Sequence, residues 1–345
     1  MEVPSPPPIP MSADVLTAIV HGQATHLGGA CWSLADLDEV HIEGGTDRTA
    51  RRMDGVTRML AVTIPSGGPG RQARLCRSDE GWAVVNEGAG DRTLVDGLRI
   101  DRHELSVGER IECSGTLFLF DHASRAADVA YDPWAFVPTV TPPVDELNEE
   151  LARIAEGDDA VLLMGESGTG KTHLAEAIHR VGSEATPRSI DVAALGEEDE
   201  ERVTSLAASA TGTLVLEHID QLARARAPAL ERLLDRTSAR VIATSRRPYL
   251  SLRALLPPEL VSRVAEERVE LPPLRARPGD LGAWIATLLE DPPAMTPHAV
   301  AALSSHRWPG NLTELAMVLR TAALVAGEGP IGLDHLPAEV RAVGQ

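Results

Sequence analysis

The sequence predicts a multi-domain fold in which an N-terminal β-sandwich precedes an α/β domain with a small α-helical lid. Short strand-like runs divided by turn residues occupy the chain up to about residue 121, as in a sandwich. A glycine-rich loop between an apolar run and a helical pattern follows at residues 165–172, and only helical patterns follow residue 279. The predicted boundaries are a disordered Pro-rich tail at 1–27, the sandwich at 28–124, a linker at 125–143, the α/β core at 144–278 and the lid at 279–345.

The sandwich is predicted from five runs that alternate or are rich in β-branched residues, each bounded by turn residues. They are Met59–Ile64, Trp82–Asn86, Arg92–Val95, Arg110–Cys113 and Thr116–Phe120. Before them, the prolines of residues 1–12 are typical of a disordered tail. After them, prolines recur within Asp132–Pro143, which indicates a linker.

Composition limits the partners and the compartment. The 345 residues carry a net charge of −19, which disfavours broad contact with DNA or with an anionic membrane. The three cysteines, Cys31, Cys76 and Cys113, are widely spaced, so the sequence indicates neither a disulfide framework nor a zinc site. With no long apolar run and no signal-peptide pattern, we expect a cytoplasmic protein without a membrane partner.

The strongest chemical signal is an eight-residue phosphate loop with the pattern GxxxxGK[ST]. It consists of Gly165, Glu166, Ser167, Gly168, Thr169, Gly170, Lys171 and Thr172. The apolar run Ala160–Met164 and the helical pattern after the loop supply the strand and helix that such a loop requires. Backbone N–H groups and the helix N-terminus bind phosphate, Lys171 would reach the β- and γ-phosphates, and Thr172 would ligate Mg²⁺. We therefore expect ATP and Mg²⁺ as cofactors.

Three further motifs follow the phosphate loop. They are the apolar strand Gly212–His218, the run Leu271–Arg277 (LPPLRAR) and the run Trp308–Leu315 (WPGNLTEL). Together with the loop they resemble the AAA+ domain of sigma-54-dependent bacterial enhancer-binding proteins, over roughly residues 146–339. The resemblance implies a Rossmann-like parallel sheet with a helical lid, assembly into homo- or hetero-oligomeric rings, and a role in transcription regulation and signalling.

The resemblance also implies a metal-binding and catalytic pair. In the family the strand after the loop ends in Asp-Glu, where the Asp holds Mg²⁺ and the Glu activates the attacking water. The matching residues here are Glu217 and His218. Glu217 keeps a carboxylate for the metal, whereas His218 is either a replacement base or a structural residue, because a histidine near Mg²⁺ stays neutral and is a weak base. Asp220 is an alternative base.

The family's nucleotide-directed arginines are mostly replaced. The resemblance leaves one candidate arginine finger, Arg263, for which an ordinary surface arginine is the alternative, and the other finger position falls on Pro257. The lid arginine of the family matches Thr313. The polar sensor after the fourth strand matches Thr244, Ser245 or Arg246.

A long loop of the family, which carries a GAFTGA motif and touches the sigma factor, is not present in the sequence. Only 45 residues separate Lys171 from Glu217 and none of them is Phe. The acidic run Gly196–Arg202 stands there instead and predicts a solvated helix start. No helix-turn-helix pattern fits Thr321–Gln345. We therefore expect neither direct sigma-54 contact nor direct DNA binding.

The predicted sandwich resembles the C-terminal half of a forkhead-associated (FHA) domain, in the runs Trp82–Gly97, Leu105–Ile111 and Leu117–Phe120. FHA domains bind phosphothreonine peptides, but the matching positions here are Gly44, Gln72 and Asp91. Arg48, Arg51, Arg52 and Arg71 could form a substitute cationic site or be scattered surface arginines. We expect this domain to bind an unphosphorylated protein partner or its own ATPase domain.

Three functions remain open at this point. The favoured one is an ATP-responsive regulator with degenerate hydrolysis machinery that acts through protein–protein contacts. The second is an active ring-forming ATPase motor that uses Glu217, His218 or Asp220, and Arg263 in trans. The third is a non-enzymatic FHA-type adaptor, against which the intact phosphate loop argues.

Overall fold

The computed structural model of the chain describes residues 13–22, 24–46, 48–65, 70–88, 93–123, 128–132, 135–182, 187–194, 212–289 and 291–342. Its contacts divide the chain into two compact units. The first unit comprises Met1–Glu146, Arg277–Arg307 and Ala316–Gln345, and the second comprises Leu147–Ala276 and Trp308–Leu315. Within the described ranges, no helix is both long and apolar enough to cross a membrane.

Two sheets of short strands build the N-terminal part of the first unit. The strands are β1 (Ala13–His21), β2 (Ala30–Ser33), β3 (Glu39–Gly45), β4 (Thr49–Met53), β5 (Met59–Pro65), β6 (Gly70–Ser78), β7 (Gly81–Asn86), β8 (Leu94–Val95), β9 (Leu98–Arg99), β10 (Arg102–Glu104), β11 (Arg110–Cys113), β12 (Thr116–Ala123) and β13 (Val129–Ala130). One sheet has the order β13-β2-β1-β12-β11-β8-β9 and the other β10-β7-β6-β3-β5-β4. All neighbours are antiparallel except the parallel pair β3 and β5.

A shared hydrophobic core between the two sheets makes this region a β-sandwich. Alternate residues of both sheets enter it, including Leu16 and Phe118 from one sheet and Ile42 and Trp82 from the other. Each of the five runs predicted from the sequence contains a strand, although Arg92 lies outside the described residues. The predicted β-sandwich is therefore present.

The structure corrects the predicted start of the sandwich. Residues 13–21, assigned to a disordered tail, form β1, which pairs with β2 on one side and β12 on the other. This strand is buried along nearly its whole length, so its mostly apolar sequence lacks the alternation expected of a half-exposed strand. Residues 1–12 lie outside the described part of the chain.

The predicted linker is also partly structured. Within 125–143, Val129–Ala130 forms β13 against β2, and Val137 and Val140 are buried. Residues 139–141 bind the side chain of Asp280. Prolines therefore mark a segment that is irregular but packed, because each proline removes a backbone donor without preventing burial of its neighbours.

A five-stranded parallel sheet forms the centre of the second unit, as predicted for the α/β core. Its order is β15-β16-β17-β14-β18. The strands are β14 (Val161–Met164), β15 (Arg188–Asp191), β16 (Thr213–Glu217), β17 (Arg240–Ser245) and β18 (Glu267–Glu270). The helices are α1 (Pro142–Glu156), of which residues 142–146 belong to the first unit, α2 (Lys171–Gly182), α3 (Ala227–Leu234), α4 (Tyr249–Leu255) and α5 (Pro258–Val264). Residues of four strands and three helices share one buried core, which explains why the central strands are short apolar runs.

The predicted lid is helical. Its helices are α6 (Leu281–Leu288), α7 (Pro297–Ser305), α8 (Asn311–Ala326) and α9 (Ala338–Arg341). The Thr296 hydroxyl accepts a hydrogen bond from the Ala299 N–H and caps α7. Except for residues 308–315, these helices belong to the same compact unit as the sandwich.

Candidate functional site

The phosphate loop connects β14 to α2 at the carboxyl edge of the parallel sheet. Gly168 has φ +77°, and a Cβ atom there would overlap the carbonyl oxygen of Gly310. The Gly168 carbonyl accepts a hydrogen bond from the Leu312 N–H at 2.9 Å. The glycine is therefore required both by its backbone conformation and by the close approach of the WPGN run.

Lys171 is the only lysine in the 345-residue sequence, since the other 31 of the 32 basic residues are arginine. It is the first residue of α2 and is 8% exposed. Its Nζ donates to the carbonyl oxygens of Gly165 at 2.9 Å and Glu166 at 2.7 Å. Burial lowers the pKa of this ammonium group from its ordinary value. The side chain is thus folded back over the loop that the sequence assigns to phosphate.

Glu217 stands at the end of β16, opposite the start of α2. Its Oε2 atom lies 3.4 Å from the Thr172 hydroxyl, and its Oε1 atom accepts a hydrogen bond from the Ser189 hydroxyl at 2.5 Å. The two residues predicted to bind the metal are therefore adjacent. A hydroxyl beside a carboxylate offers the hard oxygen donors that suit Mg²⁺. Ser189, on the neighbouring strand β15, was not predicted.

His218 follows directly and adopts a left-handed backbone conformation with φ +58°. Its Nδ1 atom lies 3.0 Å from Oδ1 of Asp191, at the end of β15, and its N–H donates to the Thr244 hydroxyl at 3.1 Å. Two neighbouring strands therefore fix the imidazole and the backbone of this residue. Asp191 escaped sequence analysis because only the parallel register of β15 and β16 brings it here.

Asp220, the alternative base, is engaged elsewhere. Its Oδ1 accepts a hydrogen bond from the Arg246 N–H at 3.1 Å, and its Oδ2 lies 3.7 Å from Arg246 Nε. The side chain is 4% exposed, so its carboxylate is held in this pairing. Of the three sensor candidates, Thr244 contacts His218, Arg246 pairs with Asp220, and the Ser245 hydroxyl donates to the Arg247 carbonyl at 2.7 Å.

A cluster of three side chains joins the phosphate loop to the two later motifs. Arg275 donates to both carboxylate oxygens of Glu166, at 2.6 and 2.5 Å. Asn311 donates to the Ser167 carbonyl at 2.9 Å and accepts from the Leu274 N–H at 2.9 Å. Arg275 lowers the pKa of Glu166 from 4.5 to about 2. We call these residues the Glu166–Arg275–Asn311 cluster.

All three residues of this cluster lie in motifs identified from the sequence, but only Glu166, in the phosphate loop, was predicted to have a role in the site. Their motifs supported the family resemblance, and nothing in one sequence shows that the motifs converge in space. A signal was available in Asn311, because an asparagine is a frequent choice where a buried backbone needs a positive φ and a side-chain partner. Its φ is +52° and it is fully buried.

Thr313 and Arg263 lie in different surroundings. A Cβ atom at Gly168 would lie 3.1 Å from the Thr313 hydroxyl, so this residue does stand beside the loop, with a hydroxyl where the family has a cation. Arg263, on α5, donates to Asp235 at 2.6 Å, and both side chains are exposed. Within one chain Arg263 is therefore a surface ion-pair partner of Asp235.

Three of the four arginines suggested as a substitute cationic site in the sandwich have separate partners, and the fourth, Arg51, is exposed on β4. Arg48 donates to the carbonyls of Gly28 and Gly29, Arg52 pairs with Asp128, and Arg71 lies 3.5 Å from Glu87. Gln72 is buried and accepts a hydrogen bond from the Ser114 hydroxyl at 3.2 Å. Gly44 lies in β3. Asp91 and the acidic run at 196–202 fall outside the described residues.

Comparison with known proteins agrees with the geometry of the second unit. Residues 139–274 match the Sigma-54 interaction domain, and residues 282–345 match the AAA+ ATPase lid domain. The chain is 28% identical over 235 residues to the Nif-specific regulatory protein of Azotobacter vinelandii. The aligned region covers 56% of this chain and 45% of that protein. It is 28% identical over 246 residues to the DNA-binding transcriptional regulator NtrC of Azospirillum brasilense, covering 58% of this chain and 50% of that one.

A solved structure shares the fold. The structure of NtrX from Brucella abortus in complex with ADP has a TM-score of 0.53 and 22% sequence identity, and covers 59% of this chain and 55% of that chain. The chain spans about half the length of the curated relatives it matches. Residues 139–274 are therefore a sigma-54 interaction AAA+ domain and residues 282–345 its lid, homologous to the NtrC and Nif-specific regulators.

Proposed function

We propose that the chain is an ATP-binding regulator of the sigma-54-interacting family that works through protein–protein contacts in transcription control. ATP would act as a conformational ligand, because a nucleotide shifts a protein toward whichever state binds it better. The phosphate loop supplies the site. Hydrolysis would be slow or absent, since the groups that accelerate it are altered.

The position of Lys171 carries this proposal. Its buried ammonium group rests on two carbonyl oxygens of the phosphate loop, at 2.9 and 2.7 Å. Phosphate oxygens of a bound nucleotide are the stronger acceptors and would replace these carbonyls. Solved structures of NtrX are described in complex with ADP and with ATP, which agrees with the same use of the loop here.

The residues present fit Mg²⁺. Thr172 would supply a ligand oxygen and Glu217 would hold the hydrated ion, with Ser189 fixing the orientation of that carboxylate. Mg²⁺ supplies charge neutralisation on the β- and γ-phosphates when it is bound. Glu217 has a longer side chain than the Asp of the family, and its second oxygen is already bonded to Ser189.

Two replacements and one ion pair weaken hydrolysis. His218 replaces the carboxylate base, Thr313 replaces the lid arginine, and Arg263 is paired with Asp235. Removing a general base typically costs about 10²–10⁴-fold in rate. A slow or inactive site holds the bound nucleotide longer, which suits a regulator better than a motor.

A weakly active motor is the second candidate, because Asp191 fixes the His218 ring. A carboxylate hydrogen-bonded to Nδ1 selects the tautomer with a free Nε2, as in other base-orienting pairs. In this version Arg263 would leave Asp235 and act in a ring on the neighbouring subunit's nucleotide. The third candidate, a non-enzymatic adaptor, predicts that the phosphate loop binds no ATP.

We further propose that the sandwich is an FHA-like protein-binding module with little or no phosphothreonine dependence. Three of the four arginines that might bind phosphate, Arg48, Arg52 and Arg71, have their own partners within the fold. Output would then pass to a partner protein, in a homo- or hetero-oligomeric AAA+ ring, without direct contact of this chain with DNA or sigma-54.

The test measures ATP binding and steady-state turnover on the same purified protein. The variants are Lys171→Ala and, as a matched control, Arg253→Ala on the exposed side of α4. The proposal predicts Mg²⁺-dependent binding that only Lys171→Ala abolishes, with turnover no higher than in that variant. Clear turnover that is lost in Lys171→Ala would establish the motor, and no binding by the wild-type chain would establish the adaptor.

A further inference from the structure

The first strand of the sandwich is covered on both faces. Leu16 and Ala18 point into the core between the two sheets, whereas Val15 belongs to a separate small cluster and Thr17 is also buried. The outer face of an antiparallel sheet usually meets water. A second layer must therefore cover β1.

The start of the lid supplies that layer. Helix α6 packs along β1 and the 25–27 turn. A Cβ atom at Gly282 would overlap the Ile19 carbonyl oxygen, and one at Gly279 would lie 3.0 Å from the Thr17 methyl group. Both glycines allow the lid to approach the backbone of the strand more closely than any side chain would permit.

Hydrogen bonds also hold the lid against the segment that follows β1. The Met295 N–H donates to the Gly22 carbonyl at 2.6 Å, and the buried Thr25 hydroxyl donates to the Pro292 carbonyl at 2.9 Å. The hydroxyl groups of Tyr131 and Thr287 lie 3.1 Å apart. Because backbone groups of both parts take part, the register between β1 and the lid is specific.

A buried carboxylate joins the start of the lid to the segment at residues 139–141. Asp280 is fully buried and accepts hydrogen bonds from the Thr139 hydroxyl, the Val140 N–H and both the N–H and hydroxyl of Thr141, at 2.8–3.1 Å. Arg277 lies 3.6 Å away. Breaking such an anchor would strand a buried charge, so separation of the lid from this segment is costly.

We propose that the sandwich is the permanent intramolecular partner of the lid and that the two move as one body. The sandwich would then be displaced whenever the nucleotide displaces the lid, which gives the N-terminal domain a direct mechanical link to the nucleotide state. The docking itself rests on the contacts above. The nucleotide-dependent part rests also on the proposed function.

Hydrogen exchange measured by mass spectrometry on the full chain tests the docking. Gly282→Leu places a side chain against the Ile19 carbonyl. The matched control is Gly55→Leu, at an exposed sandwich position where a Cβ atom would lie 3.7 Å from its nearest neighbour, the Thr57 carbonyl oxygen. Without nucleotide, we expect exchange at residues 13–22 and 291–305 to rise together in Gly282→Leu by about tenfold or more, and to be unchanged in the control. A rise confined to the lid would overturn the proposal.

Two further arms complete the test. If Gly282→Leu does not fold, the double variant Thr25→Ala/Tyr131→Phe removes two of the hydrogen bonds without a clash, and the same joint rise is expected, though smaller.

With Mg-ATP, wild-type exchange should change at residues 161–175 and at 13–22, and the second change should vanish in the undocked variant. A change at 161–175 alone would refute the coupling. No change at 161–175 would count against the proposed function, while the nucleotide-free arm would still decide the docking.

Discussion

Lys171 differs in chemistry from every other cation of the chain. The sequence uses arginine at the other 31 basic positions, and lysine only where a compact ammonium group must sit between two loop carbonyls. A planar guanidinium needs more room and a different donor geometry. We therefore expect Lys171→Arg to weaken ATP binding by at least about tenfold, or 1.4 kcal/mol, in isothermal titration calorimetry. Arg253→Lys should leave the affinity unchanged, and an unaffected Lys171→Arg would contradict the role of the ammonium group.

The altered base can be tested by restoring it. A glutamate at position 218 would face the Asp191 carboxylate, since the two side chains now lie 3.0 Å apart, so Asp191→Asn must accompany His218→Glu. The double variant should raise ATP turnover by about 10²-fold, the lower range for a general base, in a phosphate-release assay. Adding Lys171→Ala should remove the gain. Equal turnover in the wild type and the double variant would contradict the claim that the residue at position 218 limits hydrolysis.

Acid should weaken the ion pair of the phosphate loop. Arg275 holds the pKa of Glu166 near 2 in the folded protein, below its ordinary 4.5. The pair therefore stabilises the fold fully above pH 4.5, and this contribution is lost as the pH falls from 4.5 toward 2. Its size is modest because both side chains are partly exposed.

Urea unfolding of Glu166→Gln against wild type measures this effect. The stability difference should be largest near neutral pH and should shrink at about pH 3. Glu150→Gln, on the exposed face of α1, should show no such trend. A difference between wild type and Glu166→Gln that stays constant across this range would contradict the assignment of the pair.

Residues of the site could be predicted where they lie in one contiguous motif. They were missed where strand register or the crossing of distant motifs brings them to the site. The loop residues 165–172 and the acid at the end of β16 follow from a contiguous pattern, and the structure brings Thr172 and Glu217 together. Asp191, Ser189 and Arg275 reach the site through strand register and through the crossing of motifs that are more than 100 residues apart in one case. A single sequence contains no measure of those distances.

Among the elements, the first turn of α8 depends on one buried side chain. Asn311 satisfies the Leu274 N–H and the Ser167 carbonyl, and its φ is +52°. Asn311→Gly keeps this backbone but leaves both groups without the amide, at a cost of about 1–3 kcal/mol. Asn311→Ala adds the strain of a positive φ, about 1 kcal/mol more. Chemical denaturation should rank the variants in this order, and equal stability of all three proteins would refute the assignment.

At the same scale, the strands of the sandwich were predictable and their layering was not. Apolar and β-branched runs such as Met59–Ile64 were found correctly as strands, and this one buries Leu60, Val62 and Ile64. Strand β1 and the packed segment around Thr139 were missed because a second layer hides their outer side, which removes the alternation and leaves an apolar run or a Pro-rich stretch. Such signals identify burial but not the partner that causes it.

For the whole molecule, the order of the domains along the chain differs from the way in which contacts group the segments into compact units. The sequence predicted sandwich, core and lid as successive domains, whereas the contacts place most of the lid with the sandwich. Helix α6 is short and largely apolar, with residues 281–285 all buried, so it needs a surface to pack against. Strand β1 supplies one. Predicting this required knowledge of which distant surfaces are complementary, which composition and periodicity do not carry.

The unique lysine allows the central claim to be tested on the intact chain. An acyl-phosphate derivative of ATP transfers its acyl group to a lysine amine near the bound phosphates, and Lys171 offers the only ε-amine in the sequence. Peptide mass spectrometry should find this acylation on Lys171, and excess Mg-ATP should prevent it. No labelling of Lys171, or labelling that ATP does not reduce, would contradict ATP binding at the phosphate loop.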